Sequence, residues 1–358
     1  DSTLPNALAR ECGYMISQSA YEANPEGFGE HPVGTGPFQF ESWEHGVGMS
    51  FTKFADYWQG EPYLDGLKFV IYANQLVSQA ALQNGEVHII SPLDFNMTND
   101  MASQGYPVYT MNVPQSCYTI CINCVNDDPL NNVKVRQAMA YAMDGEAILP
   151  VLFGDYAETT NQYGVPGSTY YDDTIDIKFD LEKAKALMEE AGYPDGFSTT
   201  LTVVNSERSI QFCQIVIEQL AKIGIQVELN IVDGGAYMLA IDTWDSGMLL
   251  HTMSMYNGIN SQLMGNFRQG LSGGALGSGS FLHPDDLNQV LEKACASDSK
   301  SAVALFQQSQ HMLFEDYCMM RALAVTYQAY VTSPKLHDCG YAENTPYGST
   351  FHKAWLEE

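Results

Sequence analysis

Apolar and polar side chains alternate along several segments in the first third of the chain. The alternation over residues 38–43 and 49–54, with glycines between the two segments, predicts a β-hairpin. Residues 67–72 and 86–90 predict two further strands, and residues 74–83 between them have the apolar spacing of a helix. This part of the chain is therefore predicted to form a mixed α/β unit.

The most regular helical pattern covers residues 180–191. Asp180 precedes it as a typical N-cap residue, and Gly192 follows it where a helix commonly ends. The apolar side chains recur on one face, at Leu181, Ala184, Leu187 and Met188. The pattern predicts one amphipathic helix with defined ends.

Strand, helix and strand patterns then follow one another at residues 199–204, 210–223 and 225–232. Such alternation is typical of α/β folds and predicts a second α/β unit. The other predicted elements are a short helix in the first twenty residues, extended segments within 108–123, a helix at 133–143, a flexible glycine-rich loop at 270–280, helices at 284–296 and 301–316, and a last strand at 323–331.

The composition of the 358 residues excludes several classes of protein. Hydrophobic residues make up 45% of the chain, which is enough for sizeable cores and argues against wholesale disorder. The 43 acidic and 16 basic residues give a net charge of -27, so binding to nucleic acids or to anionic lipid surfaces is not expected. No apolar run in the sequence approaches the roughly 18 residues that a membrane-spanning helix needs.

Two of the eight cysteines, Cys121 and Cys124, form a CxxC motif. The motif lies in an alternating stretch that is predicted to be a strand, whereas the reactive CxxC of thioredoxin-like sites opens a helix. Two buried free thiols are therefore the expected state, and a redox enzyme is the alternative. Because the sequence has no second CxxC, a zinc site built from two such pairs is excluded.

Other catalytic and metal-binding motifs are missing from the sequence. The eight histidines are scattered and make no HExxH motif, and there is neither a phosphate-binding Gly-Lys-Ser/Thr loop nor a GxSxG elbow. The acidic stretch at residues 172–176 lacks the glycine of a calcium loop. We therefore expect no catalytic residue, no resident metal and no cofactor, with His251 as the one imidazole considered for a chelated metal.

Six sequence blocks occur in a recognisable order over most of the chain. They are HPVGTGPF at residues 31–38, DYWQGEPYLD at 56–65, LQNGEV at 82–87, VRQAMAYAMD at 135–144, EAGYPDGF at 190–197 and QLAKIGIQV at 219–227. In this order they resemble the extracellular solute-binding proteins, family 5, of ABC importers, which take up oligopeptides, dipeptides and nickel. Each block alone is weakly specific, and the ordered set is strongly specific.

The resemblance implies a two-lobe α/β fold of the periplasmic-binding-protein type, type II and cluster C. The first part of lobe one and a small extra domain, which precede the GTGPF block in the family, are expected to be missing. The expected divisions are residues 1–112 for partial lobe one, 113–334 for lobe two, and 335–358 for a C-terminal return to lobe one. The chain is expected to cross between lobes near Val113 and near Pro334.

The same resemblance implies that the protein binds an oligopeptide or a dipeptide outside the cytoplasm. Closure of the lobes would hold the solute, and the closed form would dock on the permease subunits of an ABC importer. The protein is expected to be a monomer, without catalytic activity, and either a cell-surface lipoprotein or a periplasmic protein. The alternatives are a sensor that presents solute to a receptor, and a binder of a non-peptide solute such as a nickel chelate or a sugar.

The resemblance also places candidate ligand contacts on lobe two. They lie on its first strand or in the region that faces the cleft in family members, at Tyr118, Asn123, Trp244, Tyr256, Asn257 and Asn260. Arg268 is added as a rare cation that could pair a ligand carboxylate through two hydrogen bonds. The alternatives are packing or loop capping for the uncharged residues, and a salt bridge for Arg268.

One departure from the family pattern concerns the solute's ammonium group. Peptide-binding members carry an Asp in lobe two that pairs with the peptide's N-terminus, and the nearest equivalents here are the neutral Asn257 and Asn260. A buried ammonium needs a charged partner, so recognition of a free N-terminus would need a substitute. Asp245 is the candidate substitute.

Overall fold

The computed structural model describes residues 13–91, 94–111, 114–125, 129–255, 259–260, 263, 267, 280–340 and 350–357. These residues belong to two units. The large unit is the described part of Pro114–Thr326, and the small unit combines the described parts of Leu8–Val113 and Tyr327–Glu358. The chain therefore passes between the units twice, before Pro114 and after Thr326.

The secondary-structure elements are numbered in chain order. The strands are β1 (Phe38–Glu44), β2 (Gly48–Lys53), β3 (Gly66–Val70), β4 (Ile89–Ile90), β5 (Val108–Thr110), β6 (Ser116–Ile122), β7 (Ala157–Thr159), β8 (Ser198–Val204), β9 (Gln226–Val232), β10 (Met248–Ser254), β11 (Met320–Thr326), β12 (Ala329–Thr332), β13 (Leu336–His337) and β14 (Trp355–Leu356). The helices are α1 (Gln18–Ala23), α2 (Gln75–Gln83), α3 (Phe95–Ser103), α4 (Val133–Ala142), α5 (Gly145–Leu152), α6 (Leu181–Glu190), α7 (Glu207–Ala221), α8 (Gly234–Thr243), α9 (Asp285–Ala296) and α10 (Ser299–His311).

The large unit is built on a six-stranded sheet in the order β7-β11-β6-β10-β8-β9. β8, β9 and β10 are parallel, whereas β6 runs antiparallel to both of its neighbours, β10 and β11. The central strand β6 is buried along nearly its whole length, and Ile120 and Ile122 are fully buried within it. This strand therefore contributes side chains to the core on both faces of the sheet.

The small unit contains a three-stranded antiparallel sheet, β1-β2-β3, in which Phe40 pairs with Phe51 and Phe51 pairs with Leu67. The rings of Phe40, Phe51 and Phe69 form an edge-to-face row with 5.8 Å between successive centroids. None of the three is fully buried, and Phe69 is 45% exposed. The second sheet of this unit, β4-β12-β5, packs on a small core that includes Leu82, Met101 and Val331.

The helix predicted at residues 180–191 is confirmed as α6. The Asp180 side chain accepts a hydrogen bond of 2.9 Å from the backbone N–H of Lys183, as an N-cap residue should. Gly192 follows with a φ of 87°, a conformation that glycine adopts without a steric penalty. The hairpin β1–β2 and the alternation β8-α7-β9 are also confirmed.

Seven elements of the described residues were not predicted: α3, α5, α8, β7, β10, β13 and β14. Helix α5 contains Pro150, and α8 begins with two glycines. Proline is tolerated near a helix start but is unfavourable in the interior, so tertiary packing must sustain the later turns of α5. Local propensity alone would not have identified these elements.

The predicted last strand at residues 323–331 is two strands, β11 and β12. β11 pairs with β6 and β7 in the large unit, whereas β12 pairs with β4 and β5 in the small unit. The return to the small unit thus lies between Thr326 and Tyr327, while the sequence pattern suggested Pro334. A continuous apolar stretch gives no sign of where its pairing partner changes.

Candidate functional site

The sheet of the large unit has a topological switch point between β8 and β10. From β8 the chain passes through α7 to β9 on one side, and α8 then carries it back to β10 on the other side of β8. In open α/β sheets, ligands bind in the crevice outside the carboxyl ends of the strands at such a point. The candidate ligand-binding region of the large unit is therefore at the carboxyl ends of β8 and β10.

Both chain crossings leave the large unit from this same edge. β6 begins here because Ser116 pairs with Ser254 at the end of β10, and β11 ends here because Thr326 also pairs with Ser116. The backbone N–H of Met255 donates to the carbonyl oxygen of Gln115 at 2.9 Å. We call the sheet edge defined by Gln115, Ser116, Ser254 and Thr326, with Asn205 after β8, the crossing edge.

Tyr118, one of the predicted contacts, lies on β6 two residues from the crossing edge. Its ring centroid is 4.9 Å from that of Phe153 and 5.1 Å from that of Phe212. The side chain is 8% exposed, so it is anchored between α5 and α7 with little freedom to move. Such aromatic pairs add modest stability beyond the area that they bury.

Arg208, which the sequence analysis did not single out, lies beside Tyr118 at the start of α7. Its guanidinium carbon is 5.9 Å from the centroid of the Phe153 ring, within the range of a cation–π contact. Burial raises the pKa of the Tyr118 hydroxyl, and the adjacent Arg208 charge partly offsets that rise. The phenol therefore keeps its proton at neutral pH.

The charge environment of Arg208 is unusual for this chain. Among the described residues, none forms an ion pair with Arg208, whereas Lys134 and Lys178 each have a carboxylate partner within 3 Å. The neighbouring Glu207 side chain instead accepts a hydrogen bond from Gln211. Arg208 is half-buried, and its guanidinium forms no ion pair with any carboxylate of the described residues.

Asn123 and Trp244, two other predicted contacts, lie at the opposite end of the same sheet. Asn123 donates through Nδ2 to the Ser280 hydroxyl at 3.2 Å, and the Ser280 hydroxyl in turn donates to the carbonyl oxygen of Trp244. The indole N–H of Trp244 donates to the carbonyl oxygen of Ser246 at 2.8 Å. Asn123 is fully buried, and Trp244 is 8% exposed.

Among the described residues, the structure therefore places Tyr118 apart from Asn123 and Trp244. Tyr118 and Asn123 are five residues apart on an extended strand, which corresponds to about 16 Å. Asn260 is fully buried. Tyr256, Asn257 and Arg268 lie outside the described residues.

His251 lies on the opposite face of the sheet from Tyr118, because it pairs with Thr119, the next residue along β6. The Tyr237 hydroxyl donates to the carbonyl oxygen of Leu250 at 2.7 Å and lies 3.2 Å from Nδ1 of His251. The hydroxyl group of Tyr237 has one proton, and it donates this proton to the Leu250 carbonyl oxygen. The Tyr237 oxygen can therefore only accept a hydrogen bond from His251, so Nδ1 carries the imidazole proton. Burial lowers the pKa of His251 to about 4, which keeps the ring neutral at physiological pH.

The CxxC thiols are buried, as the strand pattern predicted. Burial raises the pKa of Cys124 to about 12 and raises that of Cys121 well above its ordinary value. Thiolates, not thiols, are the nucleophiles in redox chemistry, so these two residues have little reactivity in the folded protein. Within the described ranges, no three His, Cys, Asp or Glu side chains are arranged to hold a metal ion, and no helix has the length and apolar character to cross a membrane.

Comparison with protein families finds one match that covers most of the chain. The family described as bacterial extracellular solute-binding proteins, family 5 Middle, matches residues 3–273. Among curated proteins, the glutathione-binding protein GsiB of Salmonella choleraesuis is 34% identical over 236 residues, and that of Escherichia coli O157:H7 is 33% identical over the same length. These matches cover 65% of this chain and 46% of the relatives, so the chain spans about half their length.

Solved structures show the same fold. The periplasmic binding protein DppA of Helicobacter pylori, in complex with the peptide STSA, matches 96% of this chain with a TM-score of 0.81 and 25% identity, over 68% of its own length. The dipeptide-binding protein of Pseudoalteromonas sp. SM9913, in complex with Met-Leu, matches 96% of this chain and 69% of its own with a TM-score of 0.79 and 19% identity. The second similarity concerns the fold alone.

Proposed function

This chain belongs to the bacterial extracellular solute-binding proteins, family 5, and from that premise we propose that it binds a short peptide and delivers it to an ABC importer. The observation that carries the proposal is the crossing edge. There the switch point of the sheet and the anchored Tyr118 coincide with both chain crossings, next to Arg208, which forms no ion pair with any described residue. A solute at this edge would contact the part of the large unit from which the chain leaves for the small unit.

The named ligands of similar proteins support a peptide as the solute class. The curated relatives are glutathione-binding proteins, and glutathione is a tripeptide. The two solved structures hold the peptides STSA and Met-Leu. A ligand of two to four residues is therefore the proposed solute of this chain, and a sugar or a nickel chelate is the alternative.

The remaining predicted contacts would approach the solute from the stretch that follows β10. Because β10 ends at the crossing edge with Ser254, the chain enters residues 256–268 from there. We propose Tyr256, Asn257, Asn260 and Arg268 as contacts from this stretch. Peptide backbone groups need donors and acceptors of this neutral polar kind, and an Asp or Glu is needed for a free ammonium.

The proposed mechanism is closure of two lobes, with the large and small units as the lobes and the two crossings as hinges. Hinges of this type are a few residues between rigid elements that absorb the change in backbone angles. The closed, solute-loaded form would dock on the permease subunits outside the cytoplasm, as a monomer anchored by lipid or free in the periplasm. No covalent chemistry is required, which agrees with the buried, protonated thiols.

Small-angle X-ray scattering on the protein tests lobe closure. If the proposal is right, a saturating di- to pentapeptide lowers the radius of gyration, and an equal concentration of a sugar does not. A bound peptide that leaves the scattering curve unchanged would contradict closure as the mechanism. A variant with Gly replacing Pro114, at one crossing, should alter the closure equilibrium without touching the side chains of the crossing edge.

A further inference from the structure

Two arginines of the large unit are buried, and the fold satisfies them differently. Arg136 is 1% exposed, and its guanidinium donates to the carbonyl oxygens of Leu130, Asn131 and Tyr317. Arg321, on β11, is 3% exposed and forms no ion pair with any described residue. A buried guanidinium is costly unless its charge and its N–H groups are compensated, and Arg321 lacks the ring of carbonyls that surrounds Arg136.

The hydrogen bonds of Arg321 leave part of its guanidinium unused. Nη1 donates to Oδ1 of Asn161 at 2.5 Å, and Nη2 donates to the carbonyl oxygen of Ile177 at 3.2 Å. The Nε atom is buried and has no acceptor among the described residues. Both acceptors are neutral, so the groups in contact with Arg321 balance neither its charge nor all five of its N–H donors.

The titratable groups around Arg321 do not replace a contacting anion. Burial lowers the pKa of Arg321 to about 10, and Cys318, Asp144 and Tyr141 offset part of that fall. The Asp144 carboxylate caps helix α5 by accepting from the backbone N–H of Ala147. Burial raises the pKa of the Cys318 thiol to about 11, so the thiol is neutral at physiological pH. Arg321 therefore remains a buried positive charge at neutral pH.

Arg321 joins three segments at the end of the sheet that lies away from the crossing edge. It is the second residue of β11 and pairs with Ile120 of β6. Asn161 follows β7, and Ile177 precedes α6. Ile177 and Cys318 belong to a small buried apolar cluster, whereas Asn161 is half-buried. A further partner of the guanidinium must therefore be small, and one negative charge suffices to balance it.

We propose that Arg321 binds a chloride ion as an internal counter-ion of the large unit. The ion would accept a hydrogen bond from Nε, while Asn161 and Ile177 hold the other two nitrogens of the guanidinium. A phosphate or a carboxylate would bring additional oxygen atoms that need donors of their own in a buried position. The site is separate from the crossing edge, so chloride should bind with or without a peptide.

Thermal unfolding in sodium chloride and in sodium gluconate, at equal ionic strength and without peptide, tests the site. Both salts screen the charges of the 43 acidic residues, but gluconate is too large for a buried position. At ten times the dissociation constant of chloride, the wild-type melting temperature should be about 3 °C higher in chloride than in gluconate. Equal wild-type melting temperatures in the two salts would overturn the inference.

Variants assign the chloride effect to Arg321. Arg321→Met removes the charge and the N–H donors but keeps a long side chain, and the difference between the two salts should vanish. The matched control is Lys178→Met, which removes an exposed cation next to Ile177 that pairs with Asp176, and it should keep the wild-type difference. A chloride effect that persists in Arg321→Met would also overturn the inference.

Crystals of the wild-type chain grown in sodium bromide give a second test, which does not depend on the folding of a variant. An anomalous bromide peak within hydrogen-bond distance of Nε of Arg321 is the expected result. A water molecule at that position, without anomalous signal, would overturn the proposal. A bromide peak without a chloride-dependent shift in solution would mean binding at crystal concentration only and would overturn it as well.

Discussion

Tyr237 fixes the proton of His251 on Nδ1, because the Tyr237 hydroxyl donates to the Leu250 carbonyl oxygen and can only accept from the imidazole. The pair joins helix α8 to strand β10, on the sheet face opposite Tyr118. Protonation of the ring would place a charge in a half-buried position next to neutral groups. The pair therefore links the stability of the large unit to pH.

We expect acid to destabilise the large unit through His251. Burial lowers the pKa of His251 to about 4, from an ordinary value of 6.5, so between these values the unfolded chain binds the proton and the folded chain does not. The stabilisation is complete above pH 6.5 and is lost progressively as the pH falls towards 4, by about 3 kcal/mol in total. Urea unfolding at a series of pH values measures this loss.

The variant His251→Asn isolates that contribution, since an amide N–H can still donate to Tyr237 without titrating. Its unfolding free energy should depend less steeply on pH between 6.5 and 4 than that of the wild type. His45→Asn, at an exposed histidine that contacts Glu30, serves as the control and should leave the slope unchanged. An identical slope for wild type and His251→Asn would show that the imidazole does not titrate as described.

The buried thiols should resist modification in the folded protein. Burial raises the pKa of Cys117, Cys124 and Cys213 to about 12, and Cys121 is affected still more strongly. A thiol reagent at pH 8 should therefore label these cysteines only after denaturation. The variant Cys121→Ser should show the wild-type number of labelled thiols when native and one fewer when unfolded. Reaction of Cys121 and Cys124 with the thiol reagent in the folded protein would support the alternative of a redox enzyme.

Arg136 should be more important for stability than any exposed cation. It is fully buried and donates through Nε and Nη2 to the Tyr317 carbonyl oxygen, and through Nη1 to those of Leu130 and Asn131. Lysine cannot reproduce this fork, so Arg136→Lys should cost about 3 kcal/mol or more in unfolding free energy. The matched variant Lys134→Met breaks only an exposed ion pair and should cost about 1 kcal/mol or less. Similar losses for both would contradict this ranking.

Substitution of Asn123 should affect the unfolding free energy, whereas substitution of Tyr118 should affect peptide affinity, although both residues follow one another on the same stretch of chain. Asn123→Ala removes hydrogen bonds with Ser280 and Val125, and we expect a loss of about 1–3 kcal/mol in unfolding free energy. Because Asn123 lies at the end of β6 away from the crossing edge, peptide affinity should stay unchanged. Weaker peptide binding by a folded Asn123→Ala protein would place solute contacts at that far end. Denaturation curves and titrations on the same samples separate the two effects.

Local signals explain which parts of the fold could be predicted from sequence. Helix α6 has an Asp cap, an apolar stripe and a terminal glycine, so each local feature agreed with the final structure. Helix α8 begins with two glycines and shows no clear polar face, and it is tied to the sheet by the hydrogen bond from Tyr237 to Leu250.

The site was harder to predict because it depends on pairing partners distant in sequence. Tyr118 and Arg208 are ninety residues apart and meet only because β6, β10 and β8 are neighbours in the sheet. A sequence signal for Arg208 did exist, as a rare cation directly after a predicted strand and at the start of a helix. The strand order needed to interpret it could not be derived from periodicity alone.

Thermal denaturation of the protein with a panel of solutes tests peptide binding most directly. A ligand that binds only the folded state raises the melting temperature, and the rise grows with the logarithm of its concentration relative to its dissociation constant. The account predicts that free di- to pentapeptides, including glutathione, raise the melting temperature, and that sugars and nickel chelates leave it unchanged. A shift with a sugar or a chelate, and none with any peptide, would contradict the proposed function.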